Sequence, residues 1–100
     1  MREDYRKNYI NWDQYFMGIA LLSAKRSKDP NTQVGACITS PNKRIIGIGY
    51  NGLPVGCEDQ EFPWGNKGGF LDTKYAYVVH AEPNAILNAN SSLIGSSIYV

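Results

Sequence analysis

The chain has 100 residues, with 10 lysines and arginines against 9 aspartates and glutamates, and 43% of its residues are hydrophobic. This near-neutral charge argues against a protein that binds nucleic acid or an anionic membrane through bulk charge. The apolar stretches are too short to span a bilayer, and the charged N-terminus lacks the apolar region of a signal peptide. Two cysteines, Cys37 and Cys57, do not make a disulfide framework. We therefore expect one small, soluble domain in the cytoplasm.

The first predicted element is a helix over residues 11–28. Asn11 and Gln14 have the spacing of a capping box at its start. The helix should end before Pro30, because proline cannot continue a helix and restricts the residue before it. Helical spacing predicts a buried stripe of Trp12, Phe16, Ile19, Ala20 and Ser23.

Two β-rich runs, over residues 34–39 and 44–50, then predict a hairpin. The turn between them, Ser40-Pro41-Asn42-Lys43, has the proline and asparagine positions typical of a type I turn. Both runs carry apolar or very small residues on both faces, which indicates a sheet that is covered on both sides. These strands contain three glycines, Gly35, Gly47 and Gly49. Glycine within a strand indicates that another backbone or a ligand comes close at that position.

The rest of the chain predicts a long loop, a second helix and a third strand. Residues 51–74 are rich in glycine and proline, which is typical of a functional or partner-contacting insertion. Pro83 suits the first turn of a helix that begins near His80. That helix should bury Ala81, Ala85, Ile86 and Ala89. A strand from about Ser97 reaches Val100 without a turn, so we expect an α/β domain over residues 1–100 that is incomplete at its C-terminus and leaves an apolar edge open.

His80 and Glu82 are the first candidates for chemistry. Histidine and glutamate two residues apart at the start of a helix form one half of the zinc deaminase signature, H-x-E followed later by P-C-x-x-C. In that chemistry three protein ligands hold Zn²⁺, and a carboxylate that does not bind the metal transfers protons. The alternative is structural: a half-buried histidine, and a carboxylate that complements the helix dipole.

A second candidate site lies around Asn51. This asparagine stands between Tyr50 and Gly52 at the end of a strand, where its carboxamide could donate to and accept from a sugar or a base. The alternative is an ordinary strand-to-loop turn. Arg26 and the nearby Asn31 could contact a nucleotide phosphate, or could simply complement and solvate a helix end.

Taken in order, these segments resemble deoxycytidylate (dCMP) deaminases of the animal type, within the zinc-dependent cytidine and deoxycytidylate deaminase family. The resemblance runs from about residue 5 to the end of the chain. The segments that carry it are Trp12-Asp13-Gln14-Tyr15-Phe16-Met17, Ala24-Lys25-Arg26-Ser27-Lys28-Asp29-Pro30-Asn31, Gln33-Val34-Gly35-Ala36-Cys37-Ile38, Gly47-Ile48-Gly49-Tyr50-Asn51-Gly52-Leu53-Pro54, Gly56-Cys57, Asp72-Thr73-Lys74-Tyr75 and His80-Ala81-Glu82 with Asn84-Ala85-Ile86.

The resemblance implies a cytidine deaminase-like three-layer α/β/α sandwich, of which this chain is the N-terminal portion, and hydrolysis of dCMP to dUMP and ammonia. His80 would be a zinc ligand and Glu82 the catalytic proton shuttle. Asn51 would contact the substrate sugar, with Arg26 and Asn31 as further substrate contacts. Residues Gly49, Tyr50, Asn51 and Gly52 would form the allosteric nucleotide loop, with dCTP as activator and dTTP as inhibitor. Family members assemble as homo-oligomers, commonly hexamers.

The chain departs from the family pattern at several points. P-C-x-x-C is absent, and Cys37 and Cys57 do not match its cysteines, so two zinc ligands are missing from these 100 residues. Pro83 is a smaller departure. We expect the 100-residue chain alone to bind zinc poorly and not to turn over dCMP. The alternative function is a catalytically inactive, truncated deaminase-like chain that acts as a nucleotide-binding or oligomer-interface subunit. A deaminase of nucleic acid is disfavoured by the near-zero charge.

Overall fold

The structure is a computed structural model that describes residues 2–52 and 80–100. Its helices and strands are α1 (Trp12–Ala24), β1 (Gly35–Thr39), β2 (Ile45–Tyr50), α2 (Ala81–Leu87) and β3 (Ser97–Tyr99). The strands form an antiparallel sheet in the order β2-β1-β3, which places β1 at the centre. Neither helix in the described ranges is long and apolar enough to cross a membrane. The predicted loop over residues 51–74 lies almost entirely outside the described residues.

The start of α1 is confirmed, and its predicted end is wrong. The Asn11 side chain accepts a hydrogen bond from the Gln14 amide, and the Gln14 side chain accepts one from the Asn11 amide, at 2.8 and 2.9 Å. The helix ends at Ala24 rather than Lys28. The three amides after Ala24 donate to carbonyls three residues earlier, which tightens the chain into a turn. That turn directs Ser27 toward the end of β2.

α1 covers one face of the sheet through apolar side chains. Phe16, Ala20 and Cys37 form a buried cluster on this face. The ring of Tyr99 extends the cluster, with its centroid 5.4 Å from that of Phe16. Trp12, which the predicted stripe placed in the core, is 52% exposed. Its ring instead stacks on Phe16 at the helix surface, so the buried face is narrower than the sequence pattern indicates.

α2 covers the opposite face and approaches β2 closely. The buried residues of this face are Ala36, Ile38, Ile46, Ala81 and Ala85. A Cβ atom on Gly47 would lie 2.6 Å from the Ala85 carbonyl oxygen, and one on Gly49 would lie 2.7 Å from that of Ala81. The predicted close approach of a backbone is therefore confirmed. Ile86, predicted to be buried, is 48% exposed because α2 contacts the sheet through its alanines.

The hairpin is confirmed, with a bulge that the sequence pattern did not indicate. The Lys43 amide donates to the Ser40 carbonyl at 3.1 Å, as expected for a four-residue turn, and Lys43 adopts a φ of +67°. The register shifts between Ile38, which pairs with Gly47, and Thr39, which pairs with Ile45. Ile46 is thus the extra residue, and it joins Gly47 in facing α2. With a helix on each face, the described residues form the predicted α/β/α layers.

Candidate functional site

His80 and Glu82 lie at the start of α2, as the sequence predicts. His80 is the N-cap residue with an extended backbone, and its side chain does not cap the helix. Glu82 is the acidic residue of the first turn, and both side chains are exposed. The imidazole and the carboxylate therefore both lie at the surface of one helix end. The half-buried structural role considered for His80 is not observed, and the roles of zinc ligand and proton shuttle stay predictions.

Asn84 connects this helix end to β2, and sequence reasoning missed it as a functional candidate. Its backbone amide donates to the His80 carbonyl at 3.1 Å. Its side-chain Nδ2 donates to the Tyr50 carbonyl at 2.8 Å, and the residue is only 8% exposed. One residue thus joins the predicted zinc ligand to Tyr50. The prediction of a loop over residues 49–52 is wrong for Gly49 and Tyr50, which are the last residues of β2. The sequence pointed to Asn84 only as part of the resemblance, because the Tyr50 carbonyl that it contacts is 34 residues away in the chain.

Asn51 is held in place by the loop that precedes β1. Its Oδ1 accepts from the Val34 amide at 2.9 Å, and its Nδ2 donates to the Thr32 carbonyl at 2.9 Å. The Ser27 hydroxyl donates to the Asn51 carbonyl at 2.8 Å. Asn51 is 7% exposed, and among residues 2–52 and 80–100 its carboxamide has partners for one N–H and one lone pair, leaving one of each. Asn51 therefore orders the loop, and its contact with a substrate sugar stays a prediction.

Asp29 gives that loop its shape. Its Oδ1 accepts from the amides of Asn31 and Thr32 at 2.9 and 3.2 Å, and its carbonyl accepts from the Gln33 side chain at 2.6 Å. Asp29 is 3% exposed. The Asp-Pro pair indicated a helix stop, and the turn made by the aspartate side chain could have been predicted from the same residues. Asn31 is exposed and lies in this loop, directly before Thr32, whose carbonyl contacts Asn51.

Arg26 lies beside the predicted nucleotide loop. Its guanidinium carbon is 5.9 Å from the centroid of the Tyr50 ring, and the side chain is exposed. Arg26, Tyr50 and Asn51 thus meet at the end of β2, where Asn84 also reaches from the other helical layer. The structure brings the two sequence-predicted groups, the helix end and the strand end, to neighbouring positions. The part of the site that falls on residues 53–79 lies outside the described residues.

The described residues supply one metal donor rather than a complete set. Residues 2–52 and 80–100 contain no group of three histidine, cysteine or acidic side chains that could hold a metal ion. Cys37 is buried on the α1 face of β1, whereas His80 begins the helix on the other face. Burial raises the pKa of the Cys37 thiol, which disfavours the thiolate that binds metals. His80 fits as one ligand, and further ligands would have to come from elsewhere.

Comparison with known proteins identifies the family. The model of the cytidine and deoxycytidylate deaminase zinc-binding region matches residues 10–100. The chain belongs to this family. The resemblance inferred from the sequence is thereby confirmed, and the family description implies zinc as the cofactor of the deaminase domain.

The chain is 57% identical to the deoxycytidylate deaminase of Homo sapiens over 97 residues, which are 95% of this chain and 54% of that protein. It is also 57% identical over 101 residues to a probable deoxycytidylate deaminase of Drosophila melanogaster, covering 94% of this chain and 50% of the relative. The chain thus spans about half the length of these curated deaminases.

A solved structure supports the same deaminase fold. The dCMP deaminase of cyanophage S-TIM5, in complex with dCMP and dUMP, matches with a TM-score of 0.65 and 27% sequence identity. The match covers 85% of this chain and 60% of that chain. The predicted cytidine deaminase-like α/β fold is confirmed by this likeness and by the helix on each face of the sheet.

Proposed function

We propose that the protein is a zinc-dependent deoxycytidylate deaminase that converts dCMP and water to dUMP and ammonia. The observation that carries the proposal is the link between His80, Asn84 and Tyr50, which joins the H-x-E helix end to the end of β2. The names of relatives that are 57% identical support the same reaction. They give no support to the alternative, a catalytically inactive nucleotide-binding or oligomer-interface subunit.

In this mechanism His80 is one ligand of Zn²⁺. Zinc, when bound, supplies a positive charge that lowers the pKa of water from about 15.7 to roughly 7. Glu82 accepts a proton from the attacking water and delivers protons to the ring nitrogen and to the departing amine. Its exposure at the first turn of α2 leaves the carboxylate accessible to a bound nucleotide. Water supplies the oxygen of dUMP, and the exocyclic nitrogen leaves as ammonia.

Substrate contacts are proposed for the residues around the end of β2. The second N–H of the Asn51 carboxamide donates to the deoxyribose, while its first N–H holds Thr32. The Arg26 guanidinium is charged at neutral pH and attracts the phosphate. Asn31, in the loop that follows α1, is the further substrate contact. The structure of the phage dCMP deaminase with dCMP and dUMP supports a nucleotide monophosphate as the substrate.

Regulation and assembly belong to the same proposal. Gly49 and Tyr50, the last residues of β2, together with Asn51 and Gly52 after them, bind dCTP as an activator and dTTP as an inhibitor, in a cytoplasmic homo-oligomer such as a hexamer. The Arg26 guanidinium lies 5.9 Å from the Tyr50 ring centroid, and this positive charge supports contact between a nucleotide phosphate and the segment. No described feature calls for a nucleic acid or a membrane as partner.

A hybrid protein tests the proposed reaction. Residues 1–100 are joined to the part of the human deoxycytidylate deaminase that lies beyond the matched segment, and zinc content and ammonia release from dCMP are measured. We expect zinc-dependent formation of dUMP, with cytidine as a poor substrate. His80→Ala should reduce both zinc content and turnover. A folded hybrid that binds zinc and nucleotide but releases no ammonia would favour the inactive subunit instead.

A further inference from the structure

The outer edge of β2 is covered by asparagines from α2 and the residues after it. The Tyr50 carbonyl accepts from Asn84 Nδ2 at 2.8 Å, and the Ile48 carbonyl accepts from Asn88 Nδ2 at 3.4 Å. The Ile46 carbonyl accepts from the backbone amide of Asn90 at 3.0 Å. Three carbonyls, two residues apart along one strand, thus each receive a hydrogen bond from the same side of the molecule.

These carbonyls point away from the neighbouring strand. The Asn51 amide donates to the carbonyl of Val34, the residue before β1. Asn51 and every second residue before it, Gly49 and Gly47, therefore make the hydrogen bonds to the β1 side. Tyr50 and Ile48 lie between them, and their carbonyls face the free edge. Without α2, this edge of the described sheet would expose acceptors to solvent or to another strand.

The spacings of helix and strand match. Asn84 and Asn88 are four residues apart, which is about 6.0 Å along a helix. Tyr50 and Ile48 are two residues apart, which is about 6.6 to 6.8 Å along a strand. A shift of α2 by one residue would turn both asparagines by about 100° around the helix axis and break both bonds. The bonds therefore define one register of α2 along β2.

Asn84 is the stronger of the two contacts and the one nearest the chemistry. It is 8% exposed, whereas Asn88 is exposed and its hydrogen bond is longer. Asn84 also donates its backbone amide to the His80 carbonyl. We propose that Asn84 is a positioning residue: by bonding to the Tyr50 carbonyl it fixes the register of α2 on β2 and so holds His80 and Glu82 beside the strand end that carries Asn51. The catalytic part of this inference rests on the proposed deaminase function.

Amide hydrogen exchange of the 100-residue chain tests the register directly. Asn84→Ala removes the donor, and Asn84→Asp keeps the size of the side chain but has no N–H to donate. We expect the amides of α2 to exchange about tenfold faster in both variants, with α1 unchanged, since one buried hydrogen bond is lost locally. Asn88→Ala should have a smaller effect. Asn90→Ala is the matched control, because it keeps the backbone amide that bonds to Ile46.

Two results would overturn the inference: unchanged α2 exchange in both Asn84 variants, or equal acceleration in α1 and α2, which indicates general destabilisation. If the variants do not fold, a measurement on the unaltered protein still tests the contact between Asn84 and Tyr50. Its ¹⁵N-resolved spectrum should show a slowly exchanging Asn84 side-chain amide with a nuclear Overhauser contact to the Asn51 Hα, which lies on the same edge of the strand as the Tyr50 carbonyl. Rapid exchange of that group would contradict the proposal.

Kinetics in the zinc-loaded hybrid protein test the positioning role. A misplacement of about 1 Å at reacting groups can cost about 10²-fold, so Asn84→Ala should lower kcat by about that factor while the KM for dCMP changes little. Equal changes in kcat and KM would contradict positioning of His80 and Glu82. If the parent hybrid shows no turnover, the proposed function fails, whereas the exchange result still decides the register of α2.

Discussion

The two helices hold the same sheet by different means. α1 contacts its face through the Phe16 ring and Ala20, which pack on Cys37, and its backbone also approaches β1 closely, because a Cβ atom on Gly35 would overlap the Ala20 carbonyl oxygen. α2 contacts its face through alanines against strand glycines, and adds directional hydrogen bonds from Asn84 and others to the strand edge. Both interfaces thus include a strand glycine that a helix backbone approaches, and the difference is the set of hydrogen bonds that the α2 side adds, which are directional where apolar packing is not. The candidate catalytic residues lie on the helix that these hydrogen bonds hold against the strand edge.

The largest expected effect is a loss of turnover without a loss of stability, caused by a substitution on α2. Glu82→Gln in the zinc-loaded hybrid protein should lower turnover of dCMP by about 10² to 10⁴, the usual weight of general acid–base catalysis. Because Glu82 is exposed, the free energy of unfolding should change by less than about 0.5 kcal/mol. Ammonia release and urea unfolding measure the two quantities.

Glu3→Gln is the matched control for Glu82. Glu3 is an exposed glutamate whose carboxylate lies 3.8 Å from the Lys7 amine. The substitution should alter neither turnover nor stability. Normal deamination by the Glu82→Gln protein would remove this carboxylate from the mechanism.

On the α1 side, we expect a substitution to change the stability of the protein. Phe16→Ala removes the largest fully buried side chain of the described core and should reduce the free energy of unfolding by about 3 to 5 kcal/mol. Leu21→Ala, on the same helix but 64% exposed, should cost less than about 0.5 kcal/mol. Chemical denaturation monitored by circular dichroism compares the two. Equal losses would mean that α1 is not packed on Cys37 as described.

A pair of glycine substitutions tests how closely α2 approaches β2. Gly49→Ala would place a Cβ atom 2.7 Å from the Ala81 carbonyl oxygen, so α2 would have to move away, at a cost of about 1 to 3 kcal/mol. Gly18→Ala, on the exposed face of α1, meets nothing within 4 Å and should stabilise the helix by up to about 1 kcal/mol. Thermal unfolding distinguishes the signs. Stabilisation by both changes would show that α2 does not approach β2 closely.

Gly49 also illustrates which parts of the fold can be predicted from the sequence. Glycine within a strand is unfavourable unless something comes close, so the pattern predicted a close approach without revealing that the approaching backbone is α2. The capping box of Asn11 was equally readable, because both partners lie within four residues. The end of α1 was not, since the turn after Ala24 is stabilised by the bond from Ser27 to Asn51, a residue distant in sequence.

The same distinction applies to the candidate site. His80 and Glu82 were readable because their spacing is local and their chemistry is specific. Asn84 was visible only as part of a resemblance, because its role depends on a carbonyl 34 residues earlier in the chain. Asn51 was assigned to a substrate sugar, and no local pattern indicated that its carboxamide also orders the loop before β1.

The smallest expected effect concerns a polar bond at the edge of the α1 interface. The Tyr99 hydroxyl donates to Asp13 Oδ1 at 2.7 Å and joins β3 to the first turn of α1. This hydrogen bond raises the pKa of Tyr99 above its usual value of about 10, and desolvation adds to the shift. A raised pKa means that the folded state holds the proton more tightly. The stabilisation is therefore complete below about pH 10 and is lost as the pH rises through the folded-state pKa.

Urea unfolding between neutral and alkaline pH measures this dependence. The unaltered chain should lose stability above about pH 10, and Tyr99→Phe should remove the part of that loss that comes from Tyr99 while keeping the ring against Phe16. Asp13→Asn, which leaves a neutral acceptor, should reduce the dependence without abolishing the bond. If both variants retained the alkaline slope of the parent, the hydroxyl would contribute nothing to the α1 interface, and packing of apolar side chains alone would account for that side of the sheet.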